Sequence, residues 1–152
     1  MQITNQLIQG VSAKLLTAYN DPTSALYHID YYYDHAPQET DPQNAVTYPL
    51  IVFSVIDAPY SYAMPSDVAI NGTNYVKSRV QMSVYINDYD SQFASMMAIS
   101  VALEDLFHRQ SLTVSNSVSH IATLLVNSGI GFAEQGSKVY GYHSDYKFYL
   151  GE

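Results

Sequence analysis

The sequence predicts an α+β fold, with an antiparallel β-sheet, two α-helices packed on one face of it, long loops and an extended hairpin. Three observations carry this prediction. Residues 75–86 and 138–150 each alternate in side-chain character with the two-residue period of a strand. Residues 93–107 repeat apolar side chains every three or four positions, as a helix with one buried face does. A strand and a helix joined tightly, each apolar on one side, fold into a helix lying on a sheet.

The strand-to-helix unit, residues 75–109, has the clearest pattern in the chain. Asp88, Asp90 and Ser91 can each cap the helix start, because a short oxygen-bearing side chain accepts from free backbone N–H groups. His108 and Arg109 suit its other end, where positive charge meets the negative end of the helix dipole. The predicted inward strand residues are Val76, Ser78, Val80, Met82, Val84 and Ile86.

Three further elements precede this unit. Thr4–Tyr19 has apolar residues at helical spacing, and the helix is expected to stop before Pro22. Ala25–Tyr33 alternates and predicts a strand with an aromatic face. Leu50–Ile56 is a continuous, β-branched apolar run, which predicts a central strand covered on both faces.

The remaining segments are shorter or more polar. Asp34–Thr47 predicts a long exposed loop, and Asp57–Thr73 a loop or hairpin arm. Ser111–Asn116 and His120–Val126 fit one or two short strands. Ser128–Ser137 contains three glycines and predicts a flexible turn before the last strand.

The length and composition limit which classes of protein this chain can belong to. The 152 residues fit a single domain, 1–152, large enough to bury a core without staples. Cysteine is absent, which excludes disulfides, thiolate metal sites and a cysteine nucleophile. A formal charge of −8 opposes binding to a phosphate backbone. With no signal peptide and no membrane-spanning run, the expectation is a protein kept inside the cell, with no membrane partner.

The sequence contains one weak candidate for a metal site, which we call the weak metal constellation. His28 and Asp30 would share a strand face and His35 follows in the loop, so an imidazole and carboxylate site is conceivable. Two ligands and a loop histidine fall short of a specific signature. An ordinary hydrogen-bonded His28 is the preferred interpretation, and no metal or other cofactor is predicted.

Catalytic signatures are absent from the sequence. No Gly-x-Ser-x-Gly motif occurs, and spacing fixes no partner for His108, His120 or His143. The adjacent acids Glu104 and Asp105 point about 100° apart on a helix and are explained by a solvated face. Gly129-Ile130-Gly131 lacks the third glycine and the helix of a phosphate loop. We therefore expect a protein that is not an enzyme, with no catalytic or cofactor-binding residues.

The tyrosines and two basic residues indicate contact surfaces. Fifteen tyrosines and no tryptophan fit either ordinary strands or a sheet surface that meets other protein. Lys77 and Arg79 share a predicted strand face with Tyr75 and Tyr85, which superficially resembles a nucleic-acid platform. In a chain with fourteen acids, cross-strand or cross-subunit ion pairs are the preferred interpretation.

The order of parts resembles that of the tail-terminator and tail-completion proteins of tailed bacteriophages. The resemblance is carried by the run Tyr48-Pro49-Leu50-Ile51-Val52-Phe53, by Val80-Gln81-Met82-Ser83-Val84-Tyr85 leading into a helix, and by an alternating strand after a glycine loop. It implies a non-enzymatic virion protein, made in the host cytoplasm, that forms a ring, usually a hexamer, at the neck. Such a ring ends the tail tube and joins it to the head-side connector, with DNA passing through its lumen without specific binding.

Candidate subunit contacts follow from this expectation, and two other functions stay open. The candidates are Lys77, Arg79, Tyr75, Tyr85, Tyr140 and Tyr142. One alternative is a small-ligand or glycan-binding module, because a tyrosine-rich sheet with loops can hold a ring-shaped ligand. The other is an enzyme that uses the histidine and acid cluster near His28.

Overall fold

The computed structural model describes residues 2–37, 46–56, 75–114, 119–132 and 138–151. The predicted loops fall largely outside these ranges, since residues 38–45 and 57–74 are not described. Neither described helix is apolar over enough of its length to cross a bilayer. The elements in chain order are α1 (Gln2–Tyr19), β1 (Tyr31–Tyr33), β2 (Leu50–Val55), β3 (Tyr75–Ile86), α2 (Tyr89–Phe107), β4 (Ser119–Phe132) and β5 (Tyr140–Gly151).

The five strands form one sheet in the order β1-β2-β3-β5-β4. The predicted α+β fold with helices packed on a sheet is confirmed. The sheet is mixed rather than wholly antiparallel, because β1 pairs with β2 in parallel, Tyr32 opposite Val52. Parallel neighbours need a crossover connection, for which residues 34–49 supply the length. The other pairs are antiparallel, and β2 is an interior strand as predicted.

Both helices and one side of the sheet build a single core. Phe107 of α2 lies 6.1 Å from the ring of Tyr146 and 6.3 Å from that of Phe148, both on β5. The inward face predicted for β3 is confirmed for Ser78 through Ile86, while the side chain of Val76 lies outside the description. The fully buried large side chains are Leu7, Leu15, Leu50, Ile51, Phe53, Met82, Ile86, Met96, Leu103, Phe107, Tyr146 and Phe148.

The α2 start is capped as the sequence predicts. The Asp88 carboxylate accepts from the Ser91 N–H at 3.4 Å. The Gln92 side-chain oxygen reaches back to accept from the N–H groups of Asn87 and Asp88 at 3.0 and 3.2 Å. These bonds satisfy backbone donors that a helix start leaves free, and they fix the tight passage from β3 into α2.

Helix α1 lies against α2 and the segment that follows it. The Lys14 ammonium donates to the Leu106 carbonyl at 2.7 Å and stands 5.6 Å from the centre of the Phe107 ring. Burial lowers the pKa of Lys14. Gly10 provides a close approach, because a Cβ there would lie 2.9 Å from the carbonyl oxygen of Thr113. The Lys14 hydrogen bond thus joins the two helices, and the absence of a side chain at Gly10 lets α1 approach residues 112–113 closely.

The strand predicted over Ala25–Tyr33 is wrong for all but its last three residues. The Asp21 carboxylate accepts from both the backbone and the hydroxyl of Thr23, and the Ser24 hydroxyl accepts from the Leu26 N–H at 3.1 Å. His28 has φ 57°, outside the strand region. Short polar side chains that bond to nearby backbone compete with a strand, and here they produce turns.

Strand β4 extends further than the sequence predicts, to Phe132 and not only to Val126. Ser128 to Phe132 continue the strand where a turn is expected, because each residue finds a register partner on β5. Residues 111–114 form no strand, and residues 115–118 and 133–137 lie outside the description. Gly129 and Gly131 therefore sit in strand pairing, opposite His143 and Gly141.

Candidate functional site

The predicted contact residues whose side chains the structure describes divide between two sides of the sheet. Lys77, Arg79 and Tyr85 project from the side opposite the core, which we call the open face. Tyr75 shares their strand register, but its side chain lies outside the description. Tyr140 and Tyr142 lie on the helix side, half-buried against the core. The five described side chains therefore do not form one patch.

A basic strip crosses the middle of the open face. Arg79 of β3 pairs directly with Lys147 of β5, and Lys77 pairs with Tyr149. We define the basic strip as Lys77, Arg79 and Lys147, half of the six lysines and arginines in the chain. Lys77 is exposed and the other two are half-buried. The strand register thus concentrates three basic side chains here, with the acidic Asp145 two residues from Lys147 on the same strand.

A polar aromatic cluster occupies one end of the same face. The Ser83 hydroxyl and His143 Nδ1 share a hydrogen bond of 2.7 Å, and the ring of Tyr85 lies edge-on to that of His143 at 5.8 Å. Gly141 makes room for both rings, because a Cβ there would lie 2.9 Å from each of them. Burial lowers the pKa of His143, an effect that the nearby Asp145 carboxylate opposes.

The Ser83 and His143 pair superficially resembles a nucleophile and its base. Ser83 is only 4% exposed, so a substrate has little access to its hydroxyl. Within the described ranges, no carboxylate hydrogen-bonds to His143 to orient it as a catalytic triad requires. The geometry is that of a cross-strand brace, which joins β3 to β5 and holds the Tyr85 ring in place.

The outer edge of β4 is covered over its first half. The Arg109 N–H donates to the Thr123 carbonyl at 2.8 Å, and the Leu125 N–H donates to His108 Nδ1 at 2.9 Å. The end of α2 thus occupies the edge groups of residues 123 and 125. Beyond them, Val126 is 51% and Ile130 53% exposed. An exposed apolar edge is a pairing surface for another chain.

The helix side presents an acidic surface with an apolar groove. Helix α2 contains Asp90, Glu104 and Asp105 but no lysine or arginine. The groove, about 660 Å³ in volume, runs between α2 and the 23–26 turn, with Asp105 in its wall. Val101 lines it and is 54% exposed. The lining residues are Thr23, Ser24, Ala25, Leu26, Met97, Ala98, Val101, Ala102, Asp105 and Leu106.

The acidic residues of α2 act on a tyrosine in the core. Burial raises the pKa of Tyr146 far above its usual value, and the negative charges of Glu104 and Asp105 raise it further. The Tyr146 side chain also lines a small cavity of about 30 Å³ together with Glu104, Ser100 and Ser128. These two carboxylates of α2 therefore disfavour ionisation of a buried tyrosine.

The residues of the weak metal constellation are used in other ways. The His28 ring stacks on that of Tyr27 at 3.9 Å and lies 5.4 Å from that of Tyr19. His35 contacts Asp34, with 3.3 Å between Nδ1 and Oδ2. Because residue 28 is in a turn, His28 and Asp30 do not share a strand face as expected. In the part of the chain that the structure describes, no three metal-ligating side chains cluster.

Sequence reasoning missed Ser83, Gly141, His143 and Lys147 as neighbours on the open face. The signal was present in part, since strand alternation puts Ser83 on the face of Lys77, and His143 on the face of Lys147. The register between β3 and β5, which sets Ser83 opposite His143, is needed to bring the two sets together.

Comparisons with known proteins bear on the fold. No family model matches the sequence, and no curated protein matches it. Among solved structures, the chain is similar to one in the virion of a native gene transfer agent (GTA) particle. The TM-score is 0.64 at 13% sequence identity, over 95% of this chain and 97% of the other. At this identity the likeness establishes a shared fold over nearly the whole of both chains.

Proposed function

We propose that this chain is a structural protein of a phage-like virion, and that it acts by assembly rather than by turnover of a substrate. The observation that carries the proposal is the fold match over nearly the full length of a chain from a gene transfer agent virion. Because both chains are covered almost completely, the likeness concerns a whole subunit and not a common fragment.

We further propose a ring, usually of six copies, at the neck of the particle. There it ends the tail tube and meets the head-side connector, and DNA passes through its lumen without specific binding. The family resemblance of the sequence supports this position. A surface for a neighbouring copy exists at the β4 edge, where Val126 and Ile130 are exposed apolar residues. Contacts between two different patches are heterologous, and they close into a ring when the rotation divides a full turn.

Particle assembly with the gene deleted tests the proposal. We expect filled heads separated from tails, and tails of irregular length, in electron micrographs of the deletion. Wild-type particles should contain the chain by mass spectrometry, with a label on it located at the neck. Complementation with the intact gene is the control. Joined, infectious particles that lack the chain would refute the proposal.

A small-ligand module is the second candidate, and one observation favours it. The groove beside α2, at about 660 Å³, lies in the range of small-molecule sites. Polar groups that would orient a ligand are few there, Asp105 being the charged one. Thermal unfolding in the presence of a panel of sugars discriminates the candidates. A reproducible rise in Tm for a monomeric protein would favour this second function over assembly.

A further inference from the structure

A small cavity lies between α2, β4 and β5 on the helix side of the sheet. Its volume is about 30 Å³, and its lining combines apolar side chains with hydroxyls and one carboxylate. Cavities in proteins stay dry when their lining is apolar and bind ordered water when polar groups surround them. The residues that supply side-chain oxygen atoms are Ser100 and Glu104 of α2, Ser128 of β4, and Ser144 and Tyr146 of β5.

The cavity exists because two serines stand in rows of larger side chains. Ser144 takes the inward position between Tyr142 and Tyr146 on β5 and is 5% exposed. Ser100 belongs to the buried side of α2, which otherwise presents Met, Ile, Leu and Phe side chains. Protein interiors are close-packed, so two small side chains that line the same space leave a gap there.

The Tyr146 hydroxyl has no hydrogen-bond partner among the described residues, although its side chain is fully buried. Burial raises the pKa of Tyr146 and the Glu104 carboxylate raises it further, which keeps the proton on the hydroxyl. That effect also places the hydroxyl end of the ring toward Glu104, which lines the cavity with it. A buried hydroxyl without a partner is costly, and ordered water is a common partner for such groups.

We propose that this cavity is a hydration site, in which two ordered water molecules connect the Tyr146 hydroxyl to the Glu104 carboxylate. One water molecule needs at least about 10–15 Å³ of accessible volume, so about 30 Å³ holds two. The first water accepts from Tyr146, and the second donates to Glu104, which is exposed at the outer end. The Ser100 hydroxyl donates to the Met96 carbonyl at 2.9 Å and keeps its lone pairs for a water proton.

The hydration site attaches the second half of β4 to α2. The residues that follow α2 bond directly to β4 at Thr123 and Leu125. Ser128 lies beyond them in the exposed part of the strand, and it lines the cavity together with two residues of α2. Water that bridges two polar groups is nearly as favourable in enthalpy as a direct hydrogen bond. This inference concerns the subunit itself and does not depend on its proposed place in a particle.

Tyr146→Phe tests the hydration site through the sign of its effect, because it removes the hydroxyl and keeps the ring. Loss of a hydrogen bond to bound water should lower the Tm by about 2–4 °C in a domain of this size. In a dry cavity the same change removes a buried polar atom without a partner, and the Tm should rise. Tyr27→Phe, at a tyrosine that is 40% exposed, is the control and should leave the Tm unchanged. Circular dichroism confirms that each variant folds.

Shared waters also predict coupling between residues. Ser144→Ala should lower the Tm, and its combination with Tyr146→Phe should lower it by less than the sum, because each single variant already disturbs the same waters. Amide hydrogen exchange, followed by NMR, should become faster at Ser128 in both single variants. It should stay unchanged at Leu125, whose amide donates directly to His108.

A high-resolution crystal structure of the wild-type chain provides the direct observation. We expect two waters in the cavity, one bonded to the Tyr146 hydroxyl and one to the Glu104 carboxylate. A cavity without water, a Tm of Tyr146→Phe equal to or above that of wild type, or strictly additive effects would overturn the hydration site. A Tm that rises with sodium or potassium chloride, but not with choline chloride at equal ionic strength, would assign the cavity to a cation instead.

Discussion

The two faces of the sheet are built from the same strands but are held together differently. On the helix side, apolar and aromatic residues of both helices and three strands interlock in one core. On the open face Leu50 is also buried, but the contacts that join β3 to β5 are directional, chiefly the bond between Ser83 and His143 and the rings above Gly141. Burial of apolar area is robust to small shifts, whereas a directional contact depends on its geometry. The first face should therefore govern stability, and the second should govern what the subunit contacts.

Phe107→Ala gives the largest effect expected from this comparison. The substitution removes a buried ring that contacts Tyr146 and Phe148 and lies under the Lys14 ammonium. We expect a loss of about 3–5 kcal/mol in the free energy of unfolding, measured by urea denaturation. Val126→Ala, at an exposed position, is the control and should change it by less than about 0.5 kcal/mol. Similar losses for both would show that the core does not lie where we place it.

Gly10→Ala gives the next effect, and its sign is diagnostic. In an ordinary helix interior, alanine is more stable than glycine by about 1 kcal/mol. Here the new Cβ would lie 2.9 Å from the Thr113 carbonyl oxygen, a backbone atom that must move. We expect a net loss of about 1–3 kcal/mol in thermal or urea unfolding. Gln9→Ala, exposed on the same helix, should be nearly neutral. A gain for Gly10→Ala would disprove the close approach of α1 to residues 112–113.

The open face offers a matched pair of glycines. Gly141→Ala places a Cβ 2.9 Å from the rings of Tyr85 and His143, whereas a Cβ at Gly129 meets nothing within 4 Å. We expect Gly141→Ala to cost about 1–2 kcal/mol and to perturb the His143 imidazole signals in NMR spectra. Gly129→Ala should leave both unchanged or slightly improved, since alanine restricts the unfolded chain. Equal effects of the two substitutions would contradict the close packing of the Tyr85 and His143 rings over Gly141.

The smallest expected effect is a dependence of stability on pH, to which one histidine on each face of the sheet contributes. Burial lowers the pKa of His143 on the open face; at His120, burial and the Lys14 charge do the same. A folded-state pKa below the unfolded value of 6.5 means that the unfolded chain binds protons first as the pH falls. Stability should be full above about pH 6.5 and decline below it.

Of the two histidines, His120 should contribute more to the loss of stability at low pH. His120 Nδ1 accepts from the Leu112 N–H at 3.2 Å, and a protonated Nδ1 cannot accept. The Ser83 hydroxyl beside His143 can instead rotate to accept. Tm measured between about pH 7.5 and 5 should therefore fall less in His120→Gln than in His143→Gln. The opposite order, or a flat wild-type profile, would contradict this account.

The sequence pattern predicts those parts of the fold that depend on interactions between residues close in sequence. The period of residues 75–107 and the cap at Asp88 depend on neighbours in sequence, and both are confirmed. The turn over 21–28 was missed because the side chains of Asp21 and Ser24 bond to the backbone. Gly129 lies in a strand only because β5 pairs with it. The contact of Ser83 with His143 joins residues sixty positions apart, and only the register supplies that information.

The covered half of β4 restricts how these subunits can aggregate. A foreign strand that approached residues 123–125 would first have to displace Arg109 and His108 from their hydrogen bonds. Within the described part of β4, the exposed stretch from Val126 to Ile130 is more accessible to such a strand. A short docking site of this kind admits few alignments and disfavours endless lateral growth into fibrils. The residues that follow α2 thus limit strand pairing at this edge of the sheet.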